Sequence, residues 1–215
     1  MGAKQMVELI DSGFSIIVQG ICLSVVLVRA LKTKRREWQL LFMFYVIYFF
    51  SSLYWLLYVI FYDETPVYTH IAEFGFYVSY LVLIMILQDV RDKEMDGVKY
   101  KRLFFIPIFT WGMAGYYIWF SEGDYISNII CAILMTSQIW GAVKGILYNK
   151  KKNKNYPEKL LYRGVLIICT MEYLGWTASC IWFDVSWTNP YYWFDMMFSV
   201  SLILLIPGIR RVVEK

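Results

Sequence analysis

A single histidine, five prolines and four cysteines are all that the 215 residues hold of those three types, and each scarcity removes a class of function. One histidine cannot supply the multiple His ligands of a zinc-dependent intramembrane hydrolase, and it makes a weak metal site of any kind. Cys22, Cys131, Cys169 and Cys180 stand far apart inside apolar runs, with no CxxC or ligand spacing, so neither a disulfide framework nor a zinc site is indicated. No GxSxG context appears for a nucleophilic serine. The last apolar segment has no lysine at its centre, which excludes the Schiff-base chemistry of an opsin. No enzyme, cofactor or metal is expected.

Basic residues are also missing from half of the loops, and this absence orients the chain. Every Lys and Arg except Lys4 falls in RALKTKRRE (29–37), DVRDKEMDGVKYKR (89–102), KGILYNKKKNKNYPEKLLYR (144–163) or the tail IRRVVEK. The intervening loops YDETPVYTH, SEGDY and DVSWTNP carry acids and no base. Lys and Arg accumulate on the cytoplasmic side of a membrane protein. The N-terminus is therefore expected outside and the C-terminus in the cytoplasm, in a plasma-membrane protein. The net charge of +4 follows from this asymmetry and is not read as nucleic-acid binding.

What is abundant is apolar surface: 59% of residues are hydrophobic and 20% aromatic, with a mean hydropathy of +0.49. Seven segments, 13–31, 38–61, 69–88, 103–120, 125–148, 160–183 and 190–209, approach the ~20 residues that a helix needs to cross the hydrocarbon layer. The fold class is all-α and polytopic. The first segment runs straight into Lys32, Lys34, Arg35 and Arg36 without a small-residue cleavage site, so it is read as a retained helix, not a signal peptide.

An internal repeat connects these segments. LYWLLYVIFYD (53–63) lies over LGWTASCIWFD (174–184), pairing Trp55 with Trp176 and Asp63 with Asp184, and each is followed by a proline, Pro66 or Pro190. EFGFYVSYLVLI (73–84) lies over DMMFSVSLILLI (195–206), pairing Glu73 with Asp195 and Ser79 with Ser201. The pattern predicts a three-helix repeat over 1–90, a linker helix at 103–120 and a second repeat over 121–215, parallel because one odd helix intervenes. Gly112, Ala114 and Gly115 in the linker helix are small enough to predict close packing between bundles.

On these residues the chain resembles the SWEET sugar transporters and their PQ-loop relatives, and in architecture the nicotinamide riboside transporters of the PnuC type. The resemblance implies a 3+1+3 transporter in which the third, sixth and seventh helices line the substrate pocket. Glu73, Asp195 and Trp176 stand where SWEET proteins carry two asparagines and a tryptophan. The chain departs from that family in having no Pro-Gln pair and no proline within helices one, two, five and six.

Three carboxylates lie in predicted spans, where an ionisable group is costly and ordinarily faces a bundle interior or a cavity. Glu73 and Asp195 lie about one turn inside the outer boundary, where they could line a site or simply reach water at a helix N-terminus. His70, three residues before Glu73, shares its helical face. Glu172 lies near the bilayer midplane and must be protonated, paired or facing a cavity. Its face carries Trp176 one turn on, and the matching pair in the first repeat is Ser51 and Trp55. These six residues, Ser51, Trp55, Glu73, Glu172, Trp176 and Asp195, form the predicted substrate site, an aromatic and acidic cradle for an organic cation or flat heterocycle. The alternative is that the indoles pack between helices while Glu172 hydrogen-bonds a neighbour such as Gln138. The expected partners are a small-molecule substrate, the lipid bilayer and, in a homo-oligomer, further copies of the chain. A small-molecule transporter, with proton coupling through the acids, is expected ahead of a seven-helix receptor or sensor using the same cavity.

The basic-loop asymmetry makes the orientation testable in cells. A reporter fused after Lys215 should be cytoplasmic, and a cysteine introduced at Gly123 should react with a membrane-impermeant thiol reagent in intact cells. Reaction of that cysteine only after permeabilisation would reverse the orientation.

Overall fold

A computed structural model describes residues 3–62, 70–97, 100–120, 125–152 and 156–214. Asp63 and Pro66, and the side chain of His70, lie outside the described residues, as do Gly123 and Lys215. The described chain is helical, with α1 at Ala3–Thr33, α2 at Arg36–Tyr62, α3 at His70–Val90, α4 at Phe105–Phe120, α5 at Tyr125–Lys152, α6 at Lys159–Ile181, α7 at Pro190–Leu202 and α8 at Leu205–Val213. Short 3₁₀ turns at Lys93–Gly97 and Lys101–Phe104 lead into α4. Counting α7 and α8 as one span, seven helices are long and apolar enough to cross a membrane. The protein is thus a multi-pass membrane protein, with large apolar side chains such as Ile17, Ile21, Phe61, Phe74 and Trp119 exposed on its outer surface, where lipid is the solvent.

Two elements differ from the sequence expectation. Helix α1 begins ten residues earlier than the apolar run does, at Ala3 and not residue 13. Its first three turns hold Glu8 and Asp11, which depress local hydropathy but share one helical face, so the segment folds as helix and turns its acids inward. The last span breaks at Ile203 and Leu204, whose amides bond back to Val200 and Ser201 at 3.1 and 3.0 Å. Pro207 accounts for the break: its ring would collide with the carbonyl four residues back, that of Ile203, and it has no N–H to donate. The Ile206 amide then goes to Ile203 O at 3.2 Å, which leaves the Leu202 carbonyl without its regular partner. The Tyr45 hydroxyl donates to it at 2.6 Å, satisfying a backbone group that has no water to turn to at that depth.

The helices pack as a ring. α2 lies between α1 and α3, α6 lies between α5 and α7, and the contacts α3 with α5 and α7 with α1 close the circuit. α4 packs chiefly against α5, with a smaller edge on α6. Close approach within the ring rests on glycine at two places. A Cβ at Gly75 would fall on the Ser51 hydroxyl, and one at Gly145 would fall on the Tyr162 ring. The small residues of α4 act differently from expectation: Ala114 is buried, but Gly112 and Gly115 are exposed with no atom near where a Cβ would stand. Their rotation about the helix axis aims them at lipid, and only the Ala114 face meets a neighbour.

At the basic end, Lys152 on α5 binds Asp92 at 2.8 Å and Glu94 at 3.0 Å, tying the α3–α4 connection to α5. The Tyr148 hydroxyl donates to Glu94 at 3.1 Å. The α1–α2 turn is only Lys34 and Arg35 long, with Lys34 in the left-handed region at φ 51°.

The glycine contacts separate two otherwise similar substitutions. Gly145→Ala should lower the thermal midpoint of purified protein, at a cost of about 1–3 kcal/mol for forcing the Tyr162 ring aside. Gly115→Ala should be neutral or stabilising by up to ~1 kcal/mol, because alanine is the better helix former where nothing is in the way. Equal midpoints for the two variants would contradict the packing at α5 and α6.

Candidate functional site

One face of α1 carries Glu8, Asp11, Ser12, Ser15 and Gln19, spaced by three and four residues and therefore stacked along one side of the helix. That side faces a cavity of about 260 Å³ bounded by α1, α2, α3, α6 and α7. α7 reaches the same space because its start is fixed. Asn189 caps it by accepting from the Tyr191 amide at 2.9 Å, with Pro190 in the first helical position. The Asn189 amide nitrogen also donates to Asp184 O at 2.8 Å, so the α6–α7 loop and the helix start are one unit. Five residues after the proline, Asp195 enters the cavity.

Five carboxyl groups line this space: Glu8, Asp11, Glu73, Glu172 and Asp195. Each has an identifiable setting. Glu8 accepts from the Tyr192 hydroxyl at 2.6 Å. Asp195 accepts from Ser15 at 3.3 Å, and Ser15 in turn accepts from Ser199 at 2.8 Å. The Asp11 and Asp195 carboxyls stand near each other on facing sides of α1 and α7. Glu73 accepts from Ser127 of α5 at 2.9 Å and from Tyr77 at 3.4 Å. Glu172 stands beside the Tyr80 hydroxyl. No Lys or Arg lines the cavity among the described residues.

Of the six residues singled out from sequence, five meet here. Trp55, Glu73, Glu172, Trp176 and Asp195 all line the cavity. Ser51 does not: it is buried against Gly75 and donates to Ile47 O at 2.9 Å, while its neighbour Ser52 faces the space. One residue is a rotation of about 100° on a helix, enough to move a side chain from the lining into a helix–helix contact. Gln138 is not the partner of Glu172; its amide oxygen accepts from the Cys169 thiol at 3.4 Å. Trp176 is held by edge-on contacts with Tyr117 and Tyr173, each with ring centroids 5.9 Å away.

The residues that sequence reasoning missed are those on α1, Glu8, Asp11, Ser15 and Gln19. The signal was present as a polar stripe at helical spacing, ahead of and inside the first apolar run. A second chamber of about 220 Å³ lies between α3, α4, α5 and α6, and it shares Glu73, Phe76, Glu172 and Trp176 with the first. Among the lining residues nearest the basic end are Tyr48, Phe76 and Phe198, a floor of tilted rings with Tyr48 centred 4.8 Å from Phe76 and 5.9 Å from Phe198, and Tyr80 behind it at 6.3 Å.

The fold and the cavity define a seven-helix membrane protein with an acidic, aromatic chamber inside the bundle. No protein-family profile, curated protein or solved structure matches the chain, so its chemistry rests on the residues themselves.

The loop that sets the start of α7 has a pH signature. Ser186 and Thr188 donate to the Asp184 carboxylate, the latter at 3.1 Å, and these donors hold its pKa below the ordinary 3.8. A depressed acid contributes stability above its unfolded pKa and loses it as pH falls through the lower folded value. Amide protection over residues 182–189 should therefore be constant from neutral pH to about pH 5 and fall only at more acidic pH. Asn189→Ala should remove the cap at a cost of about 1 kcal/mol, seen as a lower thermal midpoint at neutral pH. Protection that disappears already near pH 6 would contradict the Asp184 bonding.

Proposed function

We propose that the protein is a small-molecule transporter of the cell membrane, built from two parallel three-helix bundles around the acidic cavity and carrying a cationic or heterocyclic substrate. The observation that carries the reading is the lining: five carboxyl groups and the indoles of Trp55 and Trp176 around one space, with no base among the described residues that line it. Carboxylates attract a cation, and aromatic faces add cation–π and stacking contacts. A structural ion-pair network would have drawn in Lys or Arg instead.

The 3+1+3 repeat belongs to the same proposal. In support, α2 packs between its sequence neighbours as α6 does between its own, and the seams α3–α5 and α7–α1 join the triplets. At each seam a serine of the opposite triplet donates to the repeated acid: Ser127 to Glu73 and Ser15 to Asp195. In this reading the N-terminus is outside, the basic loops are cytoplasmic, the 103–120 helix is the linker, and the acids exchange protons as substrate moves. No enzyme activity or cofactor enters it.

A second reading, a receptor or sensor with the same cavity, is favoured by one feature, the aromatic floor of Tyr48, Phe76 and Phe198. A sensor can keep that floor shut; a transporter must part it.

Flux separates the two. Protein reconstituted in liposomes should accumulate or release a radiolabelled organic cation, and a pH gradient should alter the rate. Glu172→Gln should reduce the flux roughly ten- to hundredfold, the loss of one charge-assisted contact, and should abolish the response to the pH gradient. Glu73→Gln and Asp195→Asn should each weaken it. Saturable binding with no flux in either direction would favour the sensor, and three amide variants that all behave as the parent would end the central-site reading.

A further inference from the structure

The cavity offers more acceptors than its own walls can fill. Asp11 is 4% exposed and Gln19 1% exposed; both line the space, and Asp11 Oδ1 and Gln19 Oε1 have no hydrogen-bond partner. Buried acceptors left unpaired are costly, and two on the same cavity wall define what an occupant must bring, namely N–H or O–H donors. The two are eight residues apart on one helix, so they stand about 12 Å apart along its axis. One ammonium group cannot reach both.

The remaining wall fits the same occupant. Asp11 is joined by Asp195 and Glu8 at one level, while Gln19 lies towards the floor formed by Tyr48 and Phe198. Trp55, Phe76 and Trp176 supply the walls in between, suited to methylene groups and to cations over their faces. Five carboxyls exceed what a single positive charge needs. Among the described residues no three His, Cys, Asp or Glu side chains are grouped to hold a metal ion, which leaves the charge to a ligand extended along the cavity. A volume of about 260 Å³ falls below the ~300–1,000 Å³ of pockets for drug-sized ligands, as suits a slender chain.

We infer that the cavity takes a linear polyamine, an aliphatic chain with two or more protonated N–H-bearing amines, one at Asp11 and Asp195 and another at Gln19. The inference rests on the proposed cation-carrying reading and specifies its substrate class. It separates three kinds of cation. A monoamine fills one end, a bis-quaternary ammonium supplies charge without donors, and only a polyamine supplies both along the full length.

Titration calorimetry of the purified protein in nanodiscs tests this with spermidine, putrescine, butylamine and hexamethonium. Spermidine should bind most tightly, with putrescine at least tenfold weaker and butylamine and hexamethonium weaker again. Gln19→Leu, which keeps the volume and removes the acceptor, should weaken spermidine about tenfold and leave butylamine unchanged. Asp11→Asn should weaken all the N–H-bearing amines. Butylamine or hexamethonium binding as tightly as spermidine would overturn the polyamine inference while leaving a cation transporter intact. Binding of none of the four would overturn it too, and flux of an aromatic or heterocyclic cation would then show whether the transporter reading survives on its own. A Gln19→Leu variant that binds spermidine as the parent does would remove the second donor position.

Discussion

Placing a carboxyl group at membrane depth costs about 2.5–3.5 kcal/mol on insertion scales unless the protein supplies a setting for it, and most of this structure is arranged around that cost. Glu8, Glu73 and Asp195 each accept from a hydroxyl on a different helix, from Tyr192, Ser127 and Ser15 in turn. These bonds join α1 to α7 and α3 to α5, the contacts that close the ring. Contacts of another kind hold α2 to α3 and α5 to α6, where glycines at 75 and 145 let backbones approach a neighbour's side chain too closely for a Cβ. The bundle thus has close-fitted joints at α2–α3 and α5–α6 and hydroxyl–carboxylate joints at α1–α7 and α3–α5. Packed joints resist sliding, whereas hydroxyl–carboxylate joints lining a cavity can exchange their partners for a ligand or water.

Hydropathy alone located the spans because lipid imposes a length that few alternatives satisfy, and six of the seven expected segments lie within a few residues of observed helices at both ends. α1 starts earlier than its apolar run for a physical reason. Averaged hydropathy treats Glu8 and Asp11 as breaks, but a helix separates its faces, and an inward polar stripe coexists with outward Ile10, Ile17 and Ile21. Periodicity, not average, was the informative quantity there. Ser51 differs from expectation on a finer scale, lying against Gly75 and outside the cavity lining. Repeat alignment fixes which helix a residue belongs to, but the direction of a single side chain depends on local twist, and Gly75 drew Ser51 into the α2–α3 contact. Glu172 was legible because no other setting suits an acid so far from either end of its helix. The unpaired acceptors of the cavity were not legible at all, since an absence of partners exists only in three dimensions.

In the proposed transporter, passage through the bundle would be controlled at the floor. Tyr48 touches Phe76 on α3 and Phe198 on α7, so parting those rings means moving α7 against α2. The sequence lacks prolines inside α1, α2, α5 and α6, which removes the usual hinge positions, but the span containing α7 is already broken at Ile203 and Leu204. The break lies five residues beyond Phe198, just past Leu202, the residue whose carbonyl Tyr45 holds. A helix interrupted there can tilt its upper half, with Phe198 and Asp195, while α8 stays packed on α6. The Tyr45 bond opposes that tilt, since releasing it leaves a backbone acceptor unpaired in an apolar layer. Substrate at the Asp11–Asp195 pair would act on the same half of the helix, four residues from Ser199 and its bond to Ser15. In the proposed transporter, ligand chemistry at Asp195 and closure at Phe198 therefore meet on one short segment of α7, and coupling between them would need no element beyond it.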